Sequence, residues 1–188
     1  LPPLYTADDV ASACRHFESV PYQRMSQSWK ELNQNCRFKF YDAGHILGSA
    51  VTVLECQEQG RAKTVAYTGD LGNTRVPILP EPENISEEVE TLISECTYGD
   101  QNHRSLDEAA TMLTDIIKDA VANKRKIIAP AFALGRTQEL IYVLHKLYDE
   151  GKIPVIPIYL DSPLASEVTA VFVKHQEDWD QETRDDFS

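Results

Sequence analysis

The sequence predicts an α/β fold. Residues 36–68 fall into short apolar alternations broken by turn residues, the pattern of half-buried strands. Beyond residue 105 the apolar period lengthens to that of helices, and two apolar runs, 126–130 and 155–160, alternate with them. Strands alternating with helices point to a parallel sheet with helical crossovers.

Taken in order, the chain first offers a helix. Thr6 can cap it, Asp8 and Asp9 favour its positive end, and Val10, Ala13, Cys14 and Phe17 share one face, so a helix to about Ser19 is expected. Strands follow near 36–41, 50–56 and 63–68, with Gln59-Gly60 turning between the last two. Residues 76–86 hold Pro77, Pro80, Pro82 and several acids, which no regular element tolerates. A further apolar run reaches Glu95. Ser105-Leu106-Asp107-Glu108 fits a capping box, and Leu106, Ala109, Leu113, Ile116, Ile117, Ala120 and Val121 form a stripe at helical spacing. A buried strand at 126–130 is followed by a helix at 135–148, with Leu140, Ile141, Leu144, Leu147 and Tyr148 on its core face and Gly151 after its end. Another buried strand at 155–160 leads to Asp161, the start of a turn or cap, to Ser162 as a cap and to Pro163 in a first helical turn. The acidic tail offers no closing element. The abrupt start at Leu1 reads as a cut within a longer protein.

A chain of 188 residues, 42% hydrophobic, has room for one core or for pieces of two. The net charge of −12 argues against broad electrostatic capture of nucleic acid, so any phosphate contact must be local. Cys14, Cys36, Cys56 and Cys96 are scattered without a Cys-x-x-Cys pair, which suits reduced thiols in a cytoplasmic setting better than a disulfide framework or a structural zinc. No apolar run approaches the roughly 20 residues of a membrane span, so no membrane partner is expected.

Three strand ends carry candidate chemistry. His45 lies between Gly44 and Gly48 after the alternation of Phe38, Phe40 and Tyr41, so a strand delivers an imidazole onto a tight turn that passes close to something. Alone, such a histidine is more often a structural or solvent-facing residue than a ligand. Asp70 ends the run Thr64-Val65-Ala66-Tyr67-Thr68-Gly69-Asp70, and Glu95 ends Thr91-Leu92-Ile93-Ser94-Glu95. A carboxylate there needs a cation or a hydrogen-bond network, although a turn aspartate satisfied by backbone amides is the plainer account of Asp70. Together His, Asp and Glu look like a hydrolytic metal site. Arg136, at the N-terminus of its helix, can hold a phosphate with the free amides or can pair with Glu139. Tyr98 and Phe132 can stack on bases, with core packing the competing role. His16, His103, His145 and His175 read as surface or structural residues.

Gly44-His45-Ile46-Leu47-Gly48-Ser49-Ala50, Thr68-Gly69-Asp70, Glu95-Cys96-Thr97-Tyr98-Gly99 and Pro130-Ala131-Phe132-Ala133-Leu134-Gly135-Arg136-Thr137-Gln138-Glu139 occur in an order and spacing that resemble the β-CASP branch of the metallo-β-lactamase superfamily. That branch contains zinc-dependent RNA nucleases of mRNA 3′-end processing, of the cleavage and polyadenylation specificity factor type. The resemblance implies that residues 1–98 are part of a metallo-β-lactamase αβ/βα sandwich and 99–188 part of a parallel α/β β-CASP domain. It implies His45 as a metal ligand and Asp70 as a carboxylate bridging two zinc ions. Glu95 then serves catalysis by orienting a later histidine, Arg136 and Tyr98 contact single-stranded RNA, and homodimer assembly stays open. His103 follows the Glu95 loop as a histidine often does in the family. Cys96 stands where the RNA-processing members usually have serine.

The main ligand cluster of the superfamily, His-x-His-x-Asp-His, is absent and is expected upstream of Leu1, with further histidines downstream of Ser188. Two ligands cannot hold two zinc ions, so the isolated chain is expected neither to bind zinc tightly nor to cleave RNA. Competing classes are a non-catalytic RNA-processing subunit of the same fold, a DNA-directed nuclease and a hydrolase of small esters. The segment 129–139 argues against the last.

Overall fold

The structure, a computed structural model, describes residues 3–26, 28–74 and 76–187. One five-stranded sheet occupies the first half: β1 (Lys30–Asn33), β2 (Cys36–Asp42), β3 (Ala50–Glu58), β4 (Arg61–Tyr67) and β5 (Thr91–Ile93), paired in chain order. The first three pairings are antiparallel and β4 pairs with β5 in parallel. It follows that β2, β4 and β5 run the same way, so their C-terminal ends share one edge of the sheet. That edge carries the loops with His45, Asp70 and Glu95.

The three longer strands lie within two residues of their expected bounds, and the Gln59-Gly60 turn sits where the β3–β4 ladder closes on Glu58 and Arg61. Strand β1 has no apolar alternation and is exposed throughout, so nothing in its composition announced it. Its hairpin closes because the Asn33 side-chain oxygen accepts from the amides of Asn35 (2.8 Å) and Cys36 (2.9 Å), an Asx turn.

Alternation gives the sheet two faces. Tyr41, Ala43, Val51, Val53 and Ala66 are buried on one, packed by Trp29, Leu71, Ile85 and Val89. Each such side chain contributes about 1.5–3 kcal/mol when fully buried. The proline-rich loop covers this face and is fastened to it: Tyr41 Oη bonds Ser86 Oγ at 2.8 Å and also Glu87, whose other oxygen accepts from Lys39 Nζ at 2.7 Å. The opposite face presents Phe38, Phe40, Leu54 and Val65, half-buried, and Tyr67, exposed.

Helices fill the second half: α2 (Leu106–Ala122), α3 (Arg136–Asp149), α4 (Pro163–Lys174) and α5 (Gln181–Asp186), with α1 (Ala7–Cys14) near the N-terminus. The Ser105 capping box forms as expected, and Ser162 Oγ caps α4 by accepting from Ala165 N at 3.2 Å. Ile117, Leu147 and Ile153 form the core between α2 and α3. Ile78, Leu79, Tyr142, Phe172 and Trp179 form another, which reaches the His45 loop through Leu47.

Four expectations need correction. Helix α1 stops at Cys14 rather than Ser19, because it buries no residue and has no packing to extend it. Residues 126–130 and 155–160 are not in a sheet; a strand exists only beside a neighbour that shares its amides, and here Ile128 (91% exposed) and Tyr159 (87%) face outward. The acidic tail does close the fold. It forms a 3₁₀ turn (Gln176–Asp178) and α5, capped by Asp180 and held by Tyr142 Oη donating to Asp186 at 2.6 Å. Finally, Cys36 and Cys56 are joined in a disulfide rather than free, since the β2–β3 register sets them directly opposite with Cα atoms 4.3 Å apart. Cys14 and Cys96 are free and exposed.

Candidate metal centre

Each of the three turns is built by its own backbone chemistry. After β2, Gly44 adopts φ +60°, and a Cβ there would lie 2.7 Å from the Pro80 carbonyl and 2.9 Å from Pro82 N. The close approach expected of this turn is therefore to the proline-rich loop. Asp42 Oδ1 accepts from Gly44 N at 2.8 Å, while Ser49 Oγ accepts from the amides of His45 and Ile46, both at 3.2 Å. These bonds fix the imidazole-bearing turn from both ends.

The turns are then stitched to one another. Gly72 N, just past Asp70, donates to Ala43 O at 2.8 Å, and Thr68 N donates to Ile93 O at 3.0 Å. Glu95 N donates to Thr68 Oγ1 at 3.2 Å. Glu95 Oε1 accepts from Leu71 N (3.2 Å) and Oε2 from Thr97 N (2.8 Å). Thr97 and then the Leu71 amide hold the Glu95 carboxyl below the usual carboxylate range, and the nearby His45 adds to the effect. Glu95 is thus ionised and acts as a brace between its own loop and that of Asp70, keeping one further lone pair on each oxygen.

His45 Nε2 stands 4.0 Å from Asp70 Oδ2, the imidazole half-exposed and the carboxylate exposed. Two donors about 2.1 Å from a tetrahedral zinc lie roughly 3.4 Å apart, so a side-chain adjustment of a few tenths of an ångström lets both reach one ion, and Asp70 keeps an oxygen for a second. The pair fits a metal in donor type and spacing. Among the described residues, three ligand atoms gather within 4.8 Å only at His175, Glu177 and Asp178, remote in sequence from these turns. There Asp178 is already paired with Arg24 at 2.8 Å and His175 Nδ1 with Glu177 at 3.0 Å.

The remaining candidates divide. A Cβ on Gly135 would lie 3.1 Å from Ile46 Cγ2, so the segment that starts α3 reaches the His45 turn. Arg136 forms the ion pair with Glu139, at 2.9 Å. Tyr98 (57% exposed) and Phe132 (82%) are not core residues, because no element covers the loops that carry them. Tyr98 instead meets the His103 ring edge-on at 4.8 Å. His145 stacks on Phe187, consistent with a structural role. The supporting residues Asp42, Ser49 and Thr68 were not singled out in sequence. Asp42, two residues before a turn glycine, carried the only available signal.

Residues 137–187 match the Beta-Casp domain family. The chain is 34% identical over 171 residues to ribonuclease TTHA0252 of Thermus thermophilus, covering 90% of this chain and 37% of that protein. It is 34% identical over 178 residues to the RNase J-like protein of Methanocaldococcus jannaschii, covering 91% and 39%. It is also 31% identical over 175 residues to the transcription termination factor FttA of Methanosarcina mazei, covering 92% and 26%. The chain spans between a quarter and two fifths of the length of these relatives.

Proposed function

We propose that this chain is part of a β-CASP protein and that the complete protein is a zinc-dependent nuclease cleaving phosphodiester bonds of single-stranded RNA, a reading supported by the Beta-Casp match over residues 137–187 and by the similarity to the two ribonuclease relatives. The observation that carries this reading is the convergence of His45, Asp70 and Glu95 on one sheet edge, with the first two 4.0 Å apart. The proteins this chain is similar to include a ribonuclease and an RNase J-like protein.

In this reading His45 and Asp70 would hold metal, the imidazole as a neutral donor and the carboxylate as an anionic one. Zinc supplies a Lewis acid for the phosphate and a bound water of lowered pKa. The chain's own residues do the placing. Ser49 and Asp42 hold the His45 turn through backbone amides, and Glu95, ionised and tied to the Leu71 amide, keeps the Asp70 turn at a fixed distance. Its remaining lone pairs would be available to orient a partner histidine. Arg136 would exchange Glu139 for an RNA phosphate at the start of α3, and exposed Tyr98 would stack on a base.

The half-buried face of Phe38, Phe40, Leu54 and Val65 supports the sandwich architecture, since a second layer would cover it. We assign residues 1–98 to that sandwich and 99–188 to the β-CASP domain, in which 126–130 and 155–160 would find strand partners. The test is cleavage of a 5′-labelled single-stranded RNA by the complete protein. Asp70→Asn should abolish cleavage, whereas Arg136→Gln should raise KM and leave kcat within a few fold. Cleavage by Asp70→Asn at the wild-type rate would overturn the assignment.

A further inference from the structure

Beyond the three turns, one cation touches the site from outside. Arg24 lies ahead of β1, and its guanidinium sits 4.6 Å from the centre of the Tyr22 ring. One of its nitrogens pairs with Asp42 Oδ2, and the other with Asp178 Oδ1 at 2.8 Å. Asp42 is buried, and its other oxygen accepts from the amide of Gly44, the residue directly before His45. Asp178 belongs to the 3₁₀ turn that follows α4, in the helical half. A single side chain therefore joins the His45 turn to the C-terminal part of the fold.

We propose that Arg24 is a positioning residue: it holds the Asp42 carboxylate aimed at the Gly44 amide, and so couples the His45 turn to the helical half through Asp178. A buried carboxylate stays charged only while cations and donors compensate it. Without Arg24, the Asp42 carboxylate loses the partner that fixes its direction and, among the described residues, keeps only the Gly44 amide, so it turns toward water and the Gly44 bond weakens. The fork matters as well as the charge. A guanidinium reaches two carboxylates in fixed directions, whereas a lysine ammonium presents one point of charge. The only part of the inference that rests on the proposed function is its consequence for metal binding through His45.

Hydrogen exchange of the complete protein, read peptide by peptide, tests the coupling without reference to metal. Arg24→Ala should accelerate exchange over residues 43–49 about tenfold, the loss of one charged hydrogen bond, and leave β3 protected. Arg24→Lys should fall between Arg24→Ala and the wild type. Asp178→Asn, which removes only the far end of the clasp, should accelerate the same segment several fold. Unchanged exchange over 43–49 in Arg24→Ala, or acceleration spread equally over β3, would overturn the proposal. If Arg24→Ala does not fold, unchanged exchange in Asp178→Asn overturns it equally. Zinc affinity, measured against a chromogenic chelator, should weaken at least about tenfold in Arg24→Ala. Accelerated exchange over 43–49 in Arg24→Ala, together with a wild type that binds no zinc, would support the clasp and count against the nuclease reading.

Discussion

Replacing Gly44 by alanine tests how the His45 turn is built. At φ +60° an alanine carries a conformational cost of about 1–2 kcal/mol. Its Cβ would also meet Pro80 O at 2.7 Å, Pro82 N at 2.9 Å and Pro82 Cδ at 3.0 Å. Two of these atoms are backbone and cannot rotate away, so the turn or the proline-rich loop must shift, at a further cost of about 1–3 kcal/mol. The expected loss is about 2–5 kcal/mol in a urea titration. Gly60→Ala is the control. It shares the left-handed backbone, φ +76°, but has nothing within 4 Å of the added methyl, so only the conformational cost applies. Gly44→Ala should therefore exceed Gly60→Ala by about 1–3 kcal/mol. Equal costs would refute the close approach to Pro80 and Pro82 as what shapes the turn.

Other expectations follow from the same network. The folded-state pKa of Glu95 lies below its ordinary value of 4.5, so its stabilisation is present above that value and is lost as pH falls through the folded pKa. The stability difference between wild type and Glu95→Gln, measured by urea denaturation, should be full at pH 7 and shrink progressively as the pH is lowered below 4.5. Tyr41→Phe removes the hydroxyl shared with Ser86 and Glu87 and should cost about 1–2 kcal/mol by the same assay. Opening the Cys36–Cys56 disulfide with a thiol reductant should lower the unfolding free energy by up to about 3 kcal/mol, with Cys36→Ser and Cys56→Ser together making the protein indifferent to the reductant.

What was legible in the sequence is what local chemistry decides. Ser105 with Glu108, and Ser162 with Pro163, marked their helix starts because capping is settled within four residues. Strands β2 to β4 were legible because each buries alternate residues. The candidate metal centre was legible as three strand ends of the right chemistry, read together as one site, but not as a geometry. That they meet follows from strand direction, which depends on pairing across the whole sheet. The failures have the same origin. Strand β1 is polar and exists because β2 offers it a ladder. Residues 126–130 have the composition of a strand but, among the described residues, no neighbour to pair with. The Cys36–Cys56 pairing depends on hairpin register, which spacing alone does not give. Helix α5 was hidden by its acidity, although Asp180 ahead of Thr183 is an ordinary cap. Arg24, Asp42 and Asp178 are far apart in the chain, and no motif connects them.

The central claim is that His45 and Asp70 hold zinc at this sheet edge in the complete protein. The most direct measurement is zinc content per chain by elemental analysis after dialysis against a weak chelator, for the wild type, His45→Ala and Asp70→Asn. Two zinc ions in the wild type, with at least one lost in each variant, is the predicted result. Full zinc occupancy in both variants would place the metal elsewhere and contradict the account.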